Sequence, residues 1–422
     1  MTDRPPATAG ESVYILGVSM TPFGKLTTMS TKDIARQTVR EVLADAGCET
    51  GDIDAVYYAN ATQGALEGQQ MIRGQVALRP LGFETVPLIN VENACASGAT
   101  AFNLAHQAIR AGEAEIALAI GIEKMVMPDR AATMAAFGGA LDVSQGAAAL
   151  GDLLAMSDGF DLPPEALADT GLRSPFMDVY AAMARAHMQR FGTTPRQIAA
   201  VAAKNHAHSV ENDKAQFRQS FTIDEVLASR MVSWPLTLPM CSPVSDGGAA
   251  AILCSERTVR KLGRAGAVRV EASVLASGSS RKADDFESHI GRVAATKAYE
   301  RAGIGPRDIS LAEVHDATAF GELIQSEVLG FCPIGEGGPL AESGATRIGG
   351  RIPINPSGGL ESKGHPVGAT GLGQVYELVM QLRGKAGARQ VEGARFALAE
   401  NGGGMLGIEE AAASVIILGK TG

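Results

Sequence analysis

Apolar and charged positions alternate along the chain in helical and extended stretches, and the same succession occurs twice. Residues 32–47 (KDIARQTVREVLADAG) read as a helix, and ETGDIDAVYYANAT at 49–62 as a loop feeding a strand. Residues 291–303 (GRVAATKAYERAG) and 304–318 (IGPRDISLAEVHDAT) repeat that order. The step from Ala46-Gly47 to Asp52-Ile53 equals the step from Ala302-Gly303 to Asp308-Ile309, and Asn60-Ala61-Thr62 falls in register with Asp316-Ala317-Thr318. Further on, Cys95 is followed three residues later by Gly98-Ala99-Thr100 and a helical run to Arg110. His365 is followed three residues later by Gly368-Ala369-Thr370 and a run to about Arg383. Each run leads to an apolar strand, EIALAIG at 115–121 and RFALAEN at 395–401.

Strand–helix alternation predicts parallel sheets covered by helices. Two halves related by a pseudo-twofold place equivalent strand-to-helix turns face to face, which brings Cys95 towards His365. The boundaries expected are 11–265 for the first half and 266–422 for the second. The stretch from about 122 to 235 has no counterpart in the second half. It carries Met- and Ala-rich segments, a Pro-bearing loop (GFDLPPEALADTGLRSP) and a helix near 176–190, as befits an inserted loop or ligand-binding subdomain.

Composition narrows the function. With 45% apolar and 20% charged residues, the 422-residue chain has the make-up of a globular protein with large cores. A net charge of −9 argues against a nucleic-acid partner. The five cysteines, at 48, 95, 241, 254 and 332, form no CxxC pair, so neither a disulfide framework nor a zinc site is expected, and a reducing cytoplasm is. MTDRPPATAGES at the start lacks the apolar core of a signal peptide, and no run suits a membrane span.

Three segments carry candidate chemistry. In VENACASGATAFNLAHQAIRAG, Cys95 stands at the mouth of a helix, where backbone N–H groups and the helix dipole favour a thiolate; the alternative is an inert buried thiol. In INPSGGLESKGHPVGATG, glycines surround His365, which could take the cysteine's proton. In ALAENGGGMLG, three glycines after a strand can present N–H groups to an oxyanion, though a mobile turn explains them equally well.

NACASG, GIEKM, CSPVSDGGAA, VHDAT, NPSGG…KGHPVGATG and NGGG occur over nearly the whole chain in the order of a thiolase, and the protein resembles that superfamily. KNHAHSVENDKAQF and the HDA motif resemble its sterol-carrier-protein-type branch, without a fused sterol-carrier domain. The resemblance implies an α/β five-layer (αβαβα) fold of two βαβαβαββ halves with an inserted loop domain. It implies Cys95 as acylated nucleophile, His365 as its base, and His315 with His365 as the hole for one thioester oxygen. The N–H groups of Cys95 and Gly402 would form the second hole, and Ser242 would lie near the pantetheine. Coenzyme A enters as co-substrate with no permanent cofactor and no metal. A homodimer or dimer of dimers is implied, and members of this branch sometimes act with a small zinc-ribbon/OB-fold acyl-CoA-binding subunit.

One feature departs from the family. The second cysteine, which moves a proton at the substrate α-carbon, is replaced by Glu400 in one of its usual places and by Ala317 in the other. Either Glu400 serves as acid/base with a raised pKa, or the α-proton step is absent and the protein is an acyltransferase or lyase without Claisen chemistry. The intact Cys95, histidines and glycines favour the first. Cys241 is read as a small buried residue in place of the usual Ala, and Cys332 as structural. The Met- and Ala-rich MVMPDRAATMAAFGGALDV suits either a bulky acyl group or a packed helix.

Overall fold

The computed structural model describes residues 10–167, 171–263 and 266–421. Residues 1–9, where a leader was sought, part of the Pro-bearing loop, the expected boundary at 264–265 and the last residue lie outside it. Nine strands form the main sheet: β1 (Val13–Met20), β2 (Ala55–Ala59), β3 (Leu88–Val91), β4 (Ile116–Glu123), β5 (Gly247–Ser255), β6 (Val268–Ser277), β7 (Leu311–Glu313), β8 (Phe396–Leu406) and β9 (Glu409–Lys420). The helices that position the site are α1 (Thr31–Ala46), α2 (Ser97–Ala111), α3 (Pro175–Phe191), α4 (Pro195–Ser209), α5 (Ile290–Ala302), α6 (Ala319–Val328) and α7 (Thr370–Leu382).

The strand order is β3-β2-β4-β5-β1-β6-β9-β8-β7. Read outward from the centre, β1-β5-β4-β2-β3 in one half matches β6-β9-β8-β7 in the other, with Ile354 bridging Ala312 in the place of a fifth strand. The halves join where β1 and β6 pair antiparallel, with Val13 opposite Val270 and Ile15 opposite Val268. The twin helices end alike for one reason: Gly47 after α1 and Gly303 after α5 both adopt the left-handed conformation that only glycine takes without strain.

Apolar faces sort the molecule into layers. Ile34, Val39 and Val42 of α1 cover one face of the first half with Ile120 and Ile252. Ala294 and Ala298 of α5 cover the outer face of the second half with Val274 and Ile417. Between the two halves of the sheet, Phe102 and Ile109 of α2 pack with Leu372, Val375 and Leu378 of α7. Burying a side chain such as Phe102 completely contributes about 2 kcal/mol. This is the expected α–β–α–β–α succession. The inserted segment adds α3 and α4, whose Tyr180, Ala184, Ile198 and Ala202 share a core with Phe320 and Leu323 of α6. No helix among the described residues is long and apolar enough to cross a membrane.

One local feature differs from the sequence-based reading. Gly402, Gly403 and Gly404 do not end the strand: β8 runs through them to Leu406 and turns into β9 at Gly407. Cys95 sits at the mouth of α2, in a 3₁₀ turn, Ala94–Ala96, just ahead of it.

Candidate active site

α2 and α7 meet near their N-termini, and small residues make the meeting possible. A Cβ on Gly98 would lie 2.9 Å from the Gly368 carbonyl oxygen, so the two Gly-Ala-Thr motifs touch through backbone. Thr100 donates to the Ala96 carbonyl and Thr370 to the Pro366 carbonyl, each four residues back, so the twofold relation extends to side-chain bonds.

The turn bearing Cys95 is tightly held. Ala94 has φ of +47°, unusual for a residue with a Cβ. The Glu92 carboxylate accepts the Ala94 N–H at 2.5 Å, and Ser97 Oγ accepts the Asn93 N–H at 2.9 Å while donating to the Ala94 carbonyl at 2.6 Å. Such strain persists only where its surroundings impose it. The result sets the thiol at the wall of a cavity, partly exposed, beside His365.

Cys95 Sγ lies 3.3 Å from His365 Nε2. On the far side of the ring, His365 Nδ1 is 2.7 Å from Thr370 Oγ1. The Thr370 hydroxyl hydrogen is engaged with the Pro366 carbonyl at 3.0 Å, so towards the ring it accepts. Nδ1 therefore carries the hydrogen and Nε2 turns its lone pair to the thiol. Ser245 Oγ accepts the His365 backbone N–H at 3.0 Å.

Burial, His315 and Lys363 hold the His365 pKa well below its usual value, so the imidazole is neutral. Burial, reinforced by Glu123, pushes the Cys95 thiol up to about 12, against the N–H groups of Gly404 and of Cys95 itself. The pair rests as thiol and imidazole. The helix-mouth position predicts a thiolate; desolvation outweighs it. Iodoacetamide modification of Cys95, followed by mass spectrometry, is therefore expected to accelerate about tenfold per pH unit between pH 7 and 10; a rate flat across that range would indicate a preformed thiolate.

His315 completes a cluster. Its ring centroid is 5.3 Å from that of His365, both of its nitrogens lack partners, and burial lowers its pKa to about 4. Donor atoms of Cys95, His315 and His365 lie within 4.8 Å of one another, the spacing at which a metal ion could be ligated. The bond between thiol and imidazole engages two of the three without one. Behind them, Glu400 is fully buried; Oε2 accepts the His315 N–H at 3.0 Å and Oε1 has no partner. Burial and the nearby Glu410 raise its pKa well above the carboxylate range.

Cys95 and the two histidines border a cavity of about 1300 Å³ between the inserted segment and the sheet ends. Cys95, His315, His365, Ser242, Cys241 and Ala317 line it, and Met125, Met134, Phe137 and Phe176 from the insertion give it an apolar wall. Of the glycines, Gly403 and Gly404 border it, and the space a side chain at Gly402 would fill holds Glu410. Cys332 lies outside the cavity lining.

Three groups escaped sequence reasoning. Tyr180 and Glu410 both line the cavity. Glu123, with no exposed surface, accepts from Asn60 Nδ2, the Ala61, Thr62 and Gly368 N–H groups, and Thr62 Oγ1, all at 2.6–3.0 Å. It ties the Asn60–Thr62 turn of one half to the turn after His365. GIEKM holds Glu123, and an acid ending an apolar strand was the available signal.

The family model described as thiolase, N-terminal domain matches residues 13–226, and that described as thiolase C-terminal domain-like matches residues 272–420. The chain is 39% identical to an acetyl-CoA acetyltransferase of Methanothermobacter thermautotrophicus over 93% of its own length and 96% of the relative's. It is 38% identical to human sterol carrier protein 2, covering 94% of this chain and 70% of that protein. It is 34% identical to the benzoylsuccinyl-CoA thiolase subunit BbsB of Thauera aromatica, covering 90% and 91%. A solved Ltp2-ChsH2(DUF35) aldolase superposes with a TM-score of 0.75 at 24% identity, over 97% of this chain and 98% of that one. The chain belongs to the thiolase superfamily. It falls in the lipid-transfer-type branch and is an acyltransferase of the thiolase type.

Proposed function

We propose that this thiolase cleaves or forms a β-ketoacyl-CoA through an acyl group carried on Cys95, with coenzyme A as acyl acceptor. The observation that carries the reading is the 3.3 Å contact between the Cys95 thiol and an imidazole nitrogen left free to accept its proton. In cleavage, His365 takes that proton as sulfur attacks the keto carbon. The carbon–carbon electron pair leaves as an enolate, whose oxygen His315 and protonated His365 stabilise. The acyl-enzyme oxygen rests on the N–H groups of Cys95 and Gly402. A carboxyl of the Glu400 region, kept protonated by burial, supplies the α-carbon proton. Coenzyme A, its pantetheine passing Ser242, then removes the acyl group.

The test is intact mass spectrometry after mixing with a panel of β-ketoacyl-CoAs. An acyl adduct on Cys95, absent from Cys95→Ala, is expected; no adduct with any thioester would sink the proposal. A second reading, acyl transfer without the Claisen step, draws on Ala317 in the second cysteine's place and on the complete burial of Glu400.

The same reading includes a homodimer, supported by the exposed edge strand β3, where Ile89 is 42% accessible. It includes a small acyl-CoA-binding subunit, supported by the pairing of Ltp2 with ChsH2 in the solved aldolase. A cytoplasmic location agrees with the five cysteines, which form no disulfide among the described residues.

A further inference from the structure

The carbon–carbon step needs a group inside the cavity that exchanges a proton with the substrate α-carbon. Glu400 does not reach that space: it has no exposed surface, one oxygen is engaged with the His315 N–H, and it is absent from the cavity lining among the described residues. Another carboxyl does reach it.

Glu410 is the second residue of β9, opposite Met405 across the hairpin. Successive residues of a strand point to opposite sides. Glu409 turns away, bound to Arg281 and to the N–H groups of Ser279 and Ile290, which leaves Glu410 turned inward. Residues two apart share a face, so Glu400 and Gly402 look the same way. The space a side chain at 402 would fill holds Glu410 instead: a Cβ there would lie 2.8 Å from Glu410 Cγ and 3.1 Å from Oε1. The two carboxyls are therefore neighbours, with Glu410 on the cavity side.

Glu410 is only 6% accessible, and that surface borders the cavity shared by Cys95, His315 and His365. Gln325 Nε2 donates to Oε1 at a long 3.4 Å, and Oε2 has no partner. A nearly buried carboxyl with one unengaged oxygen in the wall of the cavity that Cys95 also lines costs stability unless that oxygen has a use. Burial and the Glu409 charge also raise its pKa, and Glu410 is the charge that most raises the pKa of Tyr180 across the cavity, after burial.

We infer that Glu410 is the catalytic acid/base at the substrate α-carbon, with Glu400 behind it as a positioning residue. The inference rests on the Cys95 acyl-enzyme reading. In cleavage, the Glu410 carboxyl gives its proton to the enolate carbon as the carbon–carbon bond breaks, forming a C–H bond and leaving a carboxylate. The coenzyme A thiol then loses its proton to that carboxylate as its sulfur attacks the acyl group, and the departing Cys95 sulfur recovers its proton from His365. In synthesis the carboxylate removes the α-proton, and the C–H electron pair forms the new carbon–carbon bond.

The experiment follows α-hydrogen exchange of acetyl-CoA and propionyl-CoA in D₂O by mass spectrometry, with Cys95 acylation by the same thioesters measured in parallel. Glu410→Gln is expected to slow exchange at least 100-fold relative to acylation, Glu410→Asp to recover part of it, and Glu400→Gln to shift the pH profile with a smaller loss. Exchange within threefold of wild type in Glu410→Gln, with acylation intact, overturns the assignment. So does an equal fall in exchange and acylation, which marks a structural effect. Absence of acylation in the wild-type enzyme is a separate outcome: it removes the acyl-enzyme reading and this inference with it.

Discussion

His365→Asn is expected to lower kcat/KM by about 10³-fold or more while leaving the thermal midpoint within a few degrees. The size follows from the state of the nucleophile. A thiol held at about 12 is ionised in roughly one molecule in 10⁵ at pH 7, and ionising it unaided costs about 7 kcal/mol. The neutral His365 removes most of that cost by taking the proton as attack proceeds. Thr370 keeps the ring in the tautomer that can do so. Asparagine fills much of the same volume but has no basic nitrogen. Steady-state kinetics with any accepted thioester decide the matter: a variant retaining more than a tenth of wild-type kcat/KM would place the base elsewhere.

Glu123→Ala is expected to destabilise the fold by about 4 kcal/mol or more. Four donors from two separate segments, and the Thr62 hydroxyl, lose their acceptor at once. Each buried donor left unsatisfied costs about 1–3 kcal/mol. Losses of that size belong to broken buried polar networks rather than to surface changes. Glu123→Gln, which keeps one acceptor oxygen, is expected to lose about half as much. Denaturant unfolding monitored by circular dichroism measures both. A loss below about 1 kcal/mol in Glu123→Ala would show that water replaces the carboxylate. The Gly368 N–H lies three residues beyond His365, so the alanine variant is also expected to widen the distribution of Cys95–His365 distances.

What the sequence reveals is what repetition and local motif encode. The duplicated helix–strand succession, the paired Gly-Ala-Thr motifs and the equivalence of Cys95 with His365 are all visible as spacing. The sheet order respects them, and Gly98 against Gly368 shows how. The glycine run after Glu400 reads as a turn because three glycines normally end a strand. Here the pairing of β8 with β9 overrides that tendency, with Gly403 opposite Ala412.

Less visible are groups whose partners lie far along the chain. Glu410 follows a glycine turn, and its sequence shows two adjacent acids that suggest a solvated hairpin tip. Only the hairpin register sends one acid to Arg281 and the other into the cavity. The buried network of Lys204, Asn205, Glu322 and Asp316 is likewise dispersed over more than 110 positions, with Lys204 Nζ 2.5 Å from Glu322 Oε1 and Asn205 Nδ2 3.1 Å from Asp316 Oδ2. Hydropathy assigns such residues to the surface, since charges are seldom buried unless paired. Asp316 lies next to His315 in the chain, so this network braces the floor of the site from a direction no local motif reports.

The seam between the halves has a further meaning. Its direct strand pairing is short, three residues from each of β1 and β6, and α2 and α7 pack together across it. Each half contributes one member of the nucleophile–base pair from equivalent turns. A single repeat therefore carries half of a reactive centre, and two unspecialised copies would have presented like residues to each other. Chemistry at this seam requires that the copies stop being alike: one turn keeps a sulfur, the other a ring nitrogen. On the proposed acyl-enzyme reading, the asymmetry between two related turns is itself the catalytic device, and a change that made either resemble its twin is expected to silence both.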